Sequence, residues 1–410
     1  MTTLRISTRS IFESGTGQLG TLQSQIAKTQ MQLSTGRKMI TPSDDPIASA
    51  RALEVTQSQS INTQLSTNRD NAKSSLSQVE LALQNTTALI QDVQTLVVNA
   101  GNGALSQADR ESIATELEGR LQDMLGVANT ADGAGGYLFS GFKATTLPFT
   151  QTTTGAQYNG DQGQRELQVG SSRKVPISDS GSSVFENNKT GNGTFQTAAD
   201  PGNLTRGGTG IISSGAVADA SMINGHSYQI DFQVTGGTTT YTVTDTFDGT
   251  VLTATPQAYE SGKQITVGGM AFDIKGAPAD LDSFTVVPSQ KESIFTTLTN
   301  LLNTLRSPGT GPAEQAALTN RLNQANDNLN NSLDNVLSVR ASIGARLKEI
   351  DYLDSTGDDL NVQYEATLND LQALDNVAAI SLFTQQQFTL EAAQKSFKTL
   401  SGLSLFNFIG

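Results

Sequence analysis

The 410-residue chain contains no cysteine, no tryptophan and a single histidine, His226. Without cysteine it forms no disulfide and no thiolate metal site. One histidine cannot supply a two-histidine zinc motif, and any serine–histidine–aspartate triad would depend on His226 alone. An ordinary position in a predicted hairpin explains this residue better. The sequence therefore predicts no catalytic residue, no metal site and no cofactor, and an enzyme is the weakest interpretation.

Positive charge and long apolar runs are also scarce. Lys and Arg number 26 against 39 Asp and Glu, a net charge of −13, which argues against nucleic acid or an anionic membrane as a partner. No run approaches the length of a membrane-spanning helix, so no membrane insertion is predicted. Arg5 and Arg9 are not followed by the apolar segment that a signal peptide requires. Export, if it occurs, must use a route that reads no such peptide.

Proline and aromatic residues are few, and their distribution divides the chain. The ten prolines avoid residues 47–147 and 313–410, and no aromatic residue lies between Phe12 and Tyr137. Both proline-free stretches carry aliphatic residues at helical spacing, whereas the middle is rich in Gly and Thr. The sequence predicts an α+β, multidomain fold. Its N- and C-terminal segments form a long helical coiled coil or bundle, and its centre is an all-β insert.

The two proline-free stretches predict a helical seam. A 3,4 spacing runs from Leu76 to Val97, and a seven-residue spacing runs from Leu322 to Ile350. Gly357 is expected to interrupt the second helix. The core of an ordinary helical bundle would show similar stripes. The predicted seam residues are Leu76, Val79, Leu83, Ile90, Val93, Leu322, Leu329, Val336, Ile343 and Ile350.

The chain ends carry shorter apolar stripes. One begins at Leu19 and ends before Gly36, and the other passes through Leu390 and Phe397 into an almost wholly apolar end. A helix with so little to pack on is marginal alone, so these ends are predicted to order on assembly. A break separates the first stripe from the next helix, because two prolines fix the backbone and Asp side chains can cap that helix. The predicted break residues are Pro42, Asp44, Asp45 and Pro46.

The middle of the chain predicts two β-hairpins. Apolar and polar residues alternate on both sides of Gly236-Gly237 and again on both sides of Gly268-Gly269. A Gly-Gly pair supplies the positive φ angles that tight hairpin turns require. Residues 178–221 are rich in Gly, Ser, Thr and Asn, and no structure is predicted for them.

Two motifs give the chain a resemblance to a known family. Leu33-Ser-Thr-Gly-Arg-Lys-Met-Ile-Thr-Pro-Ser-Asp-Asp-Pro-Ile47 resembles the N-terminal signature of the flagellin superfamily, and Arg340-Ala-Ser-Ile-Gly-Ala-Arg346 resembles its C-terminal counterpart. Within that superfamily the chain is more similar to the hook–filament junction family, FlgL. The residues that carry this second likeness are Arg5-Ile-Ser-Thr8, Tyr137-Leu-Phe-Ser-Gly141 and Ser404-Leu-Phe-Asn-Phe-Ile409.

The resemblance implies a three-part architecture. Residues 1–40 and 375–410 would form the inner layer of a tube, residues 41–147 and 291–374 a helical bundle, and residues 148–290 an outward-facing β insert. The Pro42–Pro46 break would be the spoke between layers. The residues expected at the assembly interface in the tube wall are Leu19, Leu22, Ile26, Leu33, Leu390, Phe397, Leu400, Leu403, Leu405 and Phe406.

The resemblance also implies a function. It is that of a structural adaptor in the bacterial flagellum, required for motility, on which flagellin polymerises. The implied partners are copies of itself in a ring, the junction protein FlgK, flagellin, an export chaperone and the export apparatus. The implied location is the extracellular flagellum, reached through the flagellar export channel. Two alternatives stay open: a flagellin, and a surface-displayed adhesin on a helical stalk.

Overall fold

A computed structural model of the chain describes residues 8–307 and 309–409, with side chains described for all of them except Thr8, Ile11 and residues 400–409. The chain forms two compact units, one of Met1–Thr67 with Leu353–Gly410 and the other of Asn68–Tyr352. The three-part division that the sequence suggests stays a prediction. No helix within the described ranges has the length and apolar character needed to cross a membrane.

Long helices form both ends of the chain, as predicted. Their starts follow ordinary capping chemistry: Pro46 occupies the first turn of its helix, and the Asp45 carboxylate accepts a hydrogen bond from the Ala48 amide at 3.0 Å. Ser106 and Asp109 form a reciprocal capping box. The α-helices are α1 (Thr8–Thr35), α2 (Pro46–Ala100), α3 (Gln107–Ala128), α4 (Asn203–Arg206), α5 (Ile294–Arg306), α6 (Pro312–Gln372) and α7 (Asn376–Ile409).

The expected interruption of α6 at Gly357 is wrong. The helix continues through Gly357 to Gln372, and the Asn62 side chain of α2 donates a hydrogen bond to the Gly357 carbonyl at 2.7 Å. Gly357 is buried, and a residue without a side chain lets the Asn62 amide reach the helix backbone. A glycine inside a helical pattern therefore marks close packing here and not a helix end.

The centre of the chain is antiparallel β-structure, as predicted. The strands are β1 (Phe149–Thr152), β2 (Gly155–Tyr158), β3 (Glu166–Gln168), β4 (Lys174–Pro176), β5 (Asn188–Lys189), β6 (Phe195–Ala199), β7 (Ile211–Ile212), β8 (Ala216–Val217), β9 (Tyr228–Thr235), β10 (Thr238–Asp245), β11 (Gln257–Ala258), β12 (Gln264–Val267), β13 (Met270–Lys275), β14 (Ser283–Pro288) and β15 (Lys291–Glu292). A five-stranded sheet has the order β11-β10-β9-β14-β6, and a four-stranded sheet contains β12, β13, β7 and β8. Three two-stranded pairs, β1-β2, β3-β4 and β5-β15, complete the strands.

Both predicted hairpins are present. Gly236 and Gly237 connect β9 to β10 with φ of 60° and 81°, and Gly268 and Gly269 connect β12 to β13 with φ of 52° and 78°. The two sheets share an apolar core that includes Ile230, Phe272, Ile274, Phe284 and Val286. The alternation seen in the sequence places these residues on the inner faces.

The unit of Asn68–Tyr352 also contains the predicted helical seam. Each seam residue is at most 4% exposed, and Leu83, Ile90, Leu329, Ile343 and Ile350 are fully buried. Seven-residue spacing on α6 and 3,4 spacing on α2 therefore mark buried stripes of both helices.

Residues 178–221, for which the sequence predicts nothing, are held by asparagines of α6. Asn331 and Asn335 donate side-chain hydrogen bonds to the carbonyls of Gly191 (2.7 Å) and Ser183 (2.9 Å). Asn328 accepts a hydrogen bond from the Gly191 amide at 2.9 Å. Further along, Asn320 accepts from the Ile212 amide and donates to the Gly210 carbonyl, both at 2.9 Å. These side-chain amides satisfy backbone groups of the irregular segment.

Candidate assembly interface

The two terminal helices pair with each other. Phe12 of α1 and Phe397 of α7 have ring centroids 5.1 Å apart. Further along α1 in sequence, the Thr29 hydroxyl donates a hydrogen bond of 2.9 Å to the Gln386 side chain of α7. Because the later residue of α1 meets the earlier residue of α7, the helices run antiparallel.

The facing stripes contain all six predicted interface residues whose side chains are described. Leu19, Leu22, Ile26 and Leu33 are half-buried on α1. Leu390 and Phe397 are half-buried on α7, together with Phe383, Gln386 and Ala393 at the same helical spacing. The side chains of Leu400, Leu403, Leu405 and Phe406 lie outside the described residues. Their place at an interface stays a prediction.

Two features of this pair were missed from the sequence. Gly15 faces the Phe397 ring so closely that a Cβ atom built on it would lie 2.7 Å from Phe397 Cδ2. Gln386 places an amide in an otherwise apolar stripe, where it bonds to the buried Thr29. The 3,4 spacing of Thr29 was a usable signal for its burial. Nothing in the sequence distinguished Gly15 from its neighbours Gly17 and Gly20.

Several large apolar side chains of the same helices are exposed. Phe388 is 75% exposed and Val377 80% exposed on α7, and Phe12 is 53% exposed on α1. Met31, Ile380 and Leu382 are about half exposed. A helix that is apolar on several faces is typically buried by other chains or by membrane. α7 in particular therefore presents exposed apolar side chains of the kind that protein–protein interfaces cover.

The predicted break residues form a compact turn between α1 and α2. The Asp44 carboxylate accepts hydrogen bonds from the Ile40 and Thr41 amides at 2.9 and 3.0 Å, and Lys28 pairs with it at 2.7 Å. The Lys28 hydrogen bond is the largest contribution, ahead of the two amides, to holding the pKa of Asp44 well below its usual range. Asp45 caps α2, and Pro42 and Pro46 are exposed.

A backbone bridge joins this turn to the start of α7. The Lys38 amide donates to the Gln372 carbonyl at 2.9 Å, and the Leu374 amide donates to the Gly36 carbonyl at 3.0 Å. The interruption after α1 and the interruption before α7 therefore lie side by side within one unit. Asp375 then caps α7 by accepting from the Val377 and Ala378 amides.

The arginines of the C-terminal motif hold the second unit together. Arg340 pairs with Glu80 of α2 at 2.7 Å. Arg346 donates two hydrogen bonds, of 2.9 and 3.2 Å, to the buried Asp179 carboxylate. This pair fixes the irregular segment before the π-helical turn Ser182–Glu186 against α6.

The one histidine and the acidic residues of the described ranges do not assemble into a metal site. There, His, Cys, Asp and Glu form no cluster of three that could hold a metal ion. His226 stacks on Phe247 with ring centroids 4.4 Å apart and its Nδ1 lies 2.7 Å from the Asp245 carboxylate. This arrangement serves as a local contact at one end of the β insert.

Two protein-family models match parts of the chain. The model of the bacterial flagellin N-terminal helical region matches residues 6–144, and that of the D2-like domain of flagellar hook-associated protein 1 matches residues 203–288. Flagellar hook-associated protein 3 of Escherichia coli is 28% identical over 404 residues, covering 98% of this chain and 99% of that protein.

Solved structures extend the likeness to the fold. The crystal structure of flagellar hook-associated protein 3 from Legionella pneumophila is 31% identical, with a TM-score of 0.73, and the match covers 77% of this chain and 98% of that one. FlgL from Xanthomonas campestris is 30% identical with a TM-score of 0.70, over 77% of this chain and 99% of that one. The chain belongs to the flagellar hook-associated protein 3 (FlgL) family of structural flagellar proteins.

Proposed function

We propose that this chain is the adaptor subunit of the hook–filament junction and that the α1–α7 pair is its assembly surface. The observation that carries the proposal is the exposure of large apolar side chains on α7, in particular Phe388 and Val377. Fully burying a large apolar side chain stabilises an interface by roughly 1.5–3 kcal/mol. Neighbouring copies that cover these side chains would gain this free energy repeatedly around a ring.

The partners follow from the position of such a ring. We infer a head-to-tail contact between copies that closes on itself, which leaves one face of the ring for FlgK and the other for flagellin. Transport through the flagellar export channel, with an export chaperone, belongs to the same proposal. Terminal helices that gain order on assembly would couple folding to placement at the growing tip. The assembly role of Leu400, Leu403, Leu405 and Phe406 is part of this proposal.

The test compares two phenylalanines of equal exposure. Phe388 lies on the outward face of α7 and is 75% exposed, whereas Phe247 lies at a turn of the β insert and is 76% exposed. Phe388→Glu and Phe247→Glu should both leave the far-ultraviolet circular dichroism of the purified chain unchanged. In cells that carry each variant as their sole copy, Phe388→Glu should abolish filaments and release flagellin into the medium.

Phe247→Glu should keep filaments, because the proposal places no assembly contact on that turn. Normal filaments with Phe388→Glu would refute the proposed assembly surface. Loss of filaments with both variants would place an essential contact on the insert and contradict the proposal as stated. Filaments lost only with Phe247→Glu would leave the insert, and not α7, as the surface that assembles.

A further inference from the structure

A polar groove runs along the first part of α6 in the unit of Asn68–Tyr352. Its main cavity, of about 280 Å³, lies between α5 and α6. Two smaller cavities adjoin it and share its lining. Arg321 lines all of them.

Arg321, like Arg37 and Arg51, is a cation without a charge partner in the described structure. It is exposed, and within the ranges that the structure describes it forms no hydrogen bond and no ion pair. Arg110, which lines one of the adjoining cavities, is only 3% exposed. Its guanidinium donates to the Gln107 side chain and, at 2.6 Å, to the Gly309 carbonyl. Two arginines without a carboxylate partner in the described structure therefore lie beside one cavity.

Two of the three carboxylates that line the groove contact other residues and so do not neutralise Arg321. Glu292 accepts hydrogen bonds from Thr297 at 2.6 Å and from Asn328 at 3.2 Å. Asp200 lies 3.5 Å from Arg206. Glu314 folds against the backbone of the turn before α6 and is the one lining carboxylate here that could compete for Arg321. The other two are engaged elsewhere.

The rest of the lining indicates what kind of chain would bind. Asn300, Asn303 and Gln324 present amide groups. Asn328, Thr304 and Ser307 also line the cavity but already form hydrogen bonds within the chain. Amides donate to and accept from a peptide backbone equally well. The cavity lining includes no aromatic ring, the face on which a sugar would stack. An extended peptide that carries a carboxylate satisfies both the amides and Arg321.

We propose that this groove binds an acidic segment of a second copy of this chain. The proposal rests on the proposed ring of copies, in which each subunit contacts another copy. With 39 acidic against 26 basic residues, neighbouring subunits repel one another unless cations at their contacts meet carboxylates. An unpaired arginine inside an amide-rich groove provides such a contact, and it sets the relative position of two subunits more than their affinity.

The experiment places a photocrosslinker in the groove of the full chain. p-Benzoylphenylalanine replaces Gln324 in one strain and Asn303 in another, and intact flagella are irradiated. We expect a crosslinked dimer of this chain from at least one position, with the partner peptide containing Asp or Glu. The same probe at Lys348, an exposed α6 residue outside the groove, is the positional control. No dimer from either groove position, or crosslinks to a different protein, would overturn the proposal.

Charge reversal tests the role of Arg321 directly. Arg321→Glu should reduce the crosslinked dimer at least about tenfold, because carboxylates would then face each other. Arg321→Lys should retain most of it, and Lys348→Glu should leave it unchanged. The melting temperature of purified Arg321→Glu should match the wild type; a lower one with an unchanged dimer yield would assign Arg321 a purely structural role. If Phe388→Glu fails to assemble but wild-type flagella give no groove crosslink, the groove proposal is wrong and the proposed function stands.

Discussion

The Asp179–Arg346 pair gives the sharpest test of how the second unit is held together. Arg346 donates from both terminal nitrogens to the Asp179 carboxylate, and Gln164 donates a third hydrogen bond to it at 2.7 Å. The side chains are 15% exposed for Arg346 and 7% exposed for Asp179. Asp179→Ala would leave the guanidinium in a largely dry site with no counter-ion.

The expected cost follows from that burial. Removing one partner of a buried pair costs about 3–5 kcal/mol, most of it from the unpaired charge that remains. Arg346 keeps a small exposed fraction, so the free energy of unfolding should fall by about 3 kcal/mol. In a domain of this size each kcal/mol lowers the melting temperature by about 2 °C or more, which predicts a loss of about 6 °C.

Thermal unfolding of the full chain, followed by circular dichroism at the helical band, measures this loss. The double variant Asp179→Leu with Arg346→Met should recover most of it, because it removes both charges and fills the site with apolar side chains. Lys263→Ala is the control. Lys263 pairs with Glu260 at 2.9 Å, but both side chains are more than 60% exposed, so its loss should not shift the transition measurably.

Two outcomes would contradict the reasoning. If Asp179→Ala unfolds at the wild-type temperature, the pair does not anchor the irregular segment to α6. If the double variant is as unstable as Asp179→Ala, the loss comes from the Asp179 hydrogen bonds to other groups and not from a stranded arginine.

The remaining predictions concern close packing and pH. Gly17→Ala should slow amide hydrogen exchange in α1, because alanine favours the helix by about 1 kcal/mol over glycine. Gly15→Ala should not slow it, because the new methyl group would overlap the Phe397 ring. Equal slowing in both variants, or slowing in neither, would contradict the Gly15–Phe397 contact. Burial raises the pKa of Asp282 above the ordinary 3.8, so its charged form destabilises the fold as pH rises from about 4 upward. Asp282→Asn keeps an acceptor for the Ala279 amide. The melting temperature of this variant should rise relative to that of the wild type as pH is raised from 4 to 8. If the two melting temperatures change with pH in parallel, this reasoning is wrong.

The sequence predicted those elements in which buried residues recur at regular intervals or a turn requires a particular residue. Ile343 and Ile350 stand in a seven-residue repeat because α6 turns the same face inward over many turns, and both are fully buried. The hairpin at Gly236-Gly237 was predictable because its turn demands positive φ, which glycine adopts without strain. In both cases one local rule agrees with the tertiary structure.

No structure could be predicted for residues 178–221, because the side-chain-to-backbone hydrogen bonds that hold them leave no regular spacing in the sequence of that segment. Asn328, Asn331 and Asn335 look like ordinary polar residues of a solvent-facing helix surface. Their amides instead bond to backbone groups of a segment far away in sequence. Spacing along the helix does show them on one face, at intervals of three and four, but their partners lie more than a hundred residues earlier.

The inner stripe of the candidate assembly surface was predictable from the sequence, whereas its exposed apolar side chains were not. Sequence spacing identifies the inner stripe from Leu19 to Leu33. Its leucine and isoleucine side chains are only half-buried, so each contributes less than the roughly 1.5–3 kcal/mol of full burial. One pair of helices with a thin seam, and with the polar Thr29–Gln386 contact inside it, gains little stability by itself. The exposed Phe388 and Val377 contribute free energy of apolar burial only when another chain covers them. We infer that ordering of the terminal helices and assembly draw on the same apolar surface, so a substitution that weakens one must weaken the other.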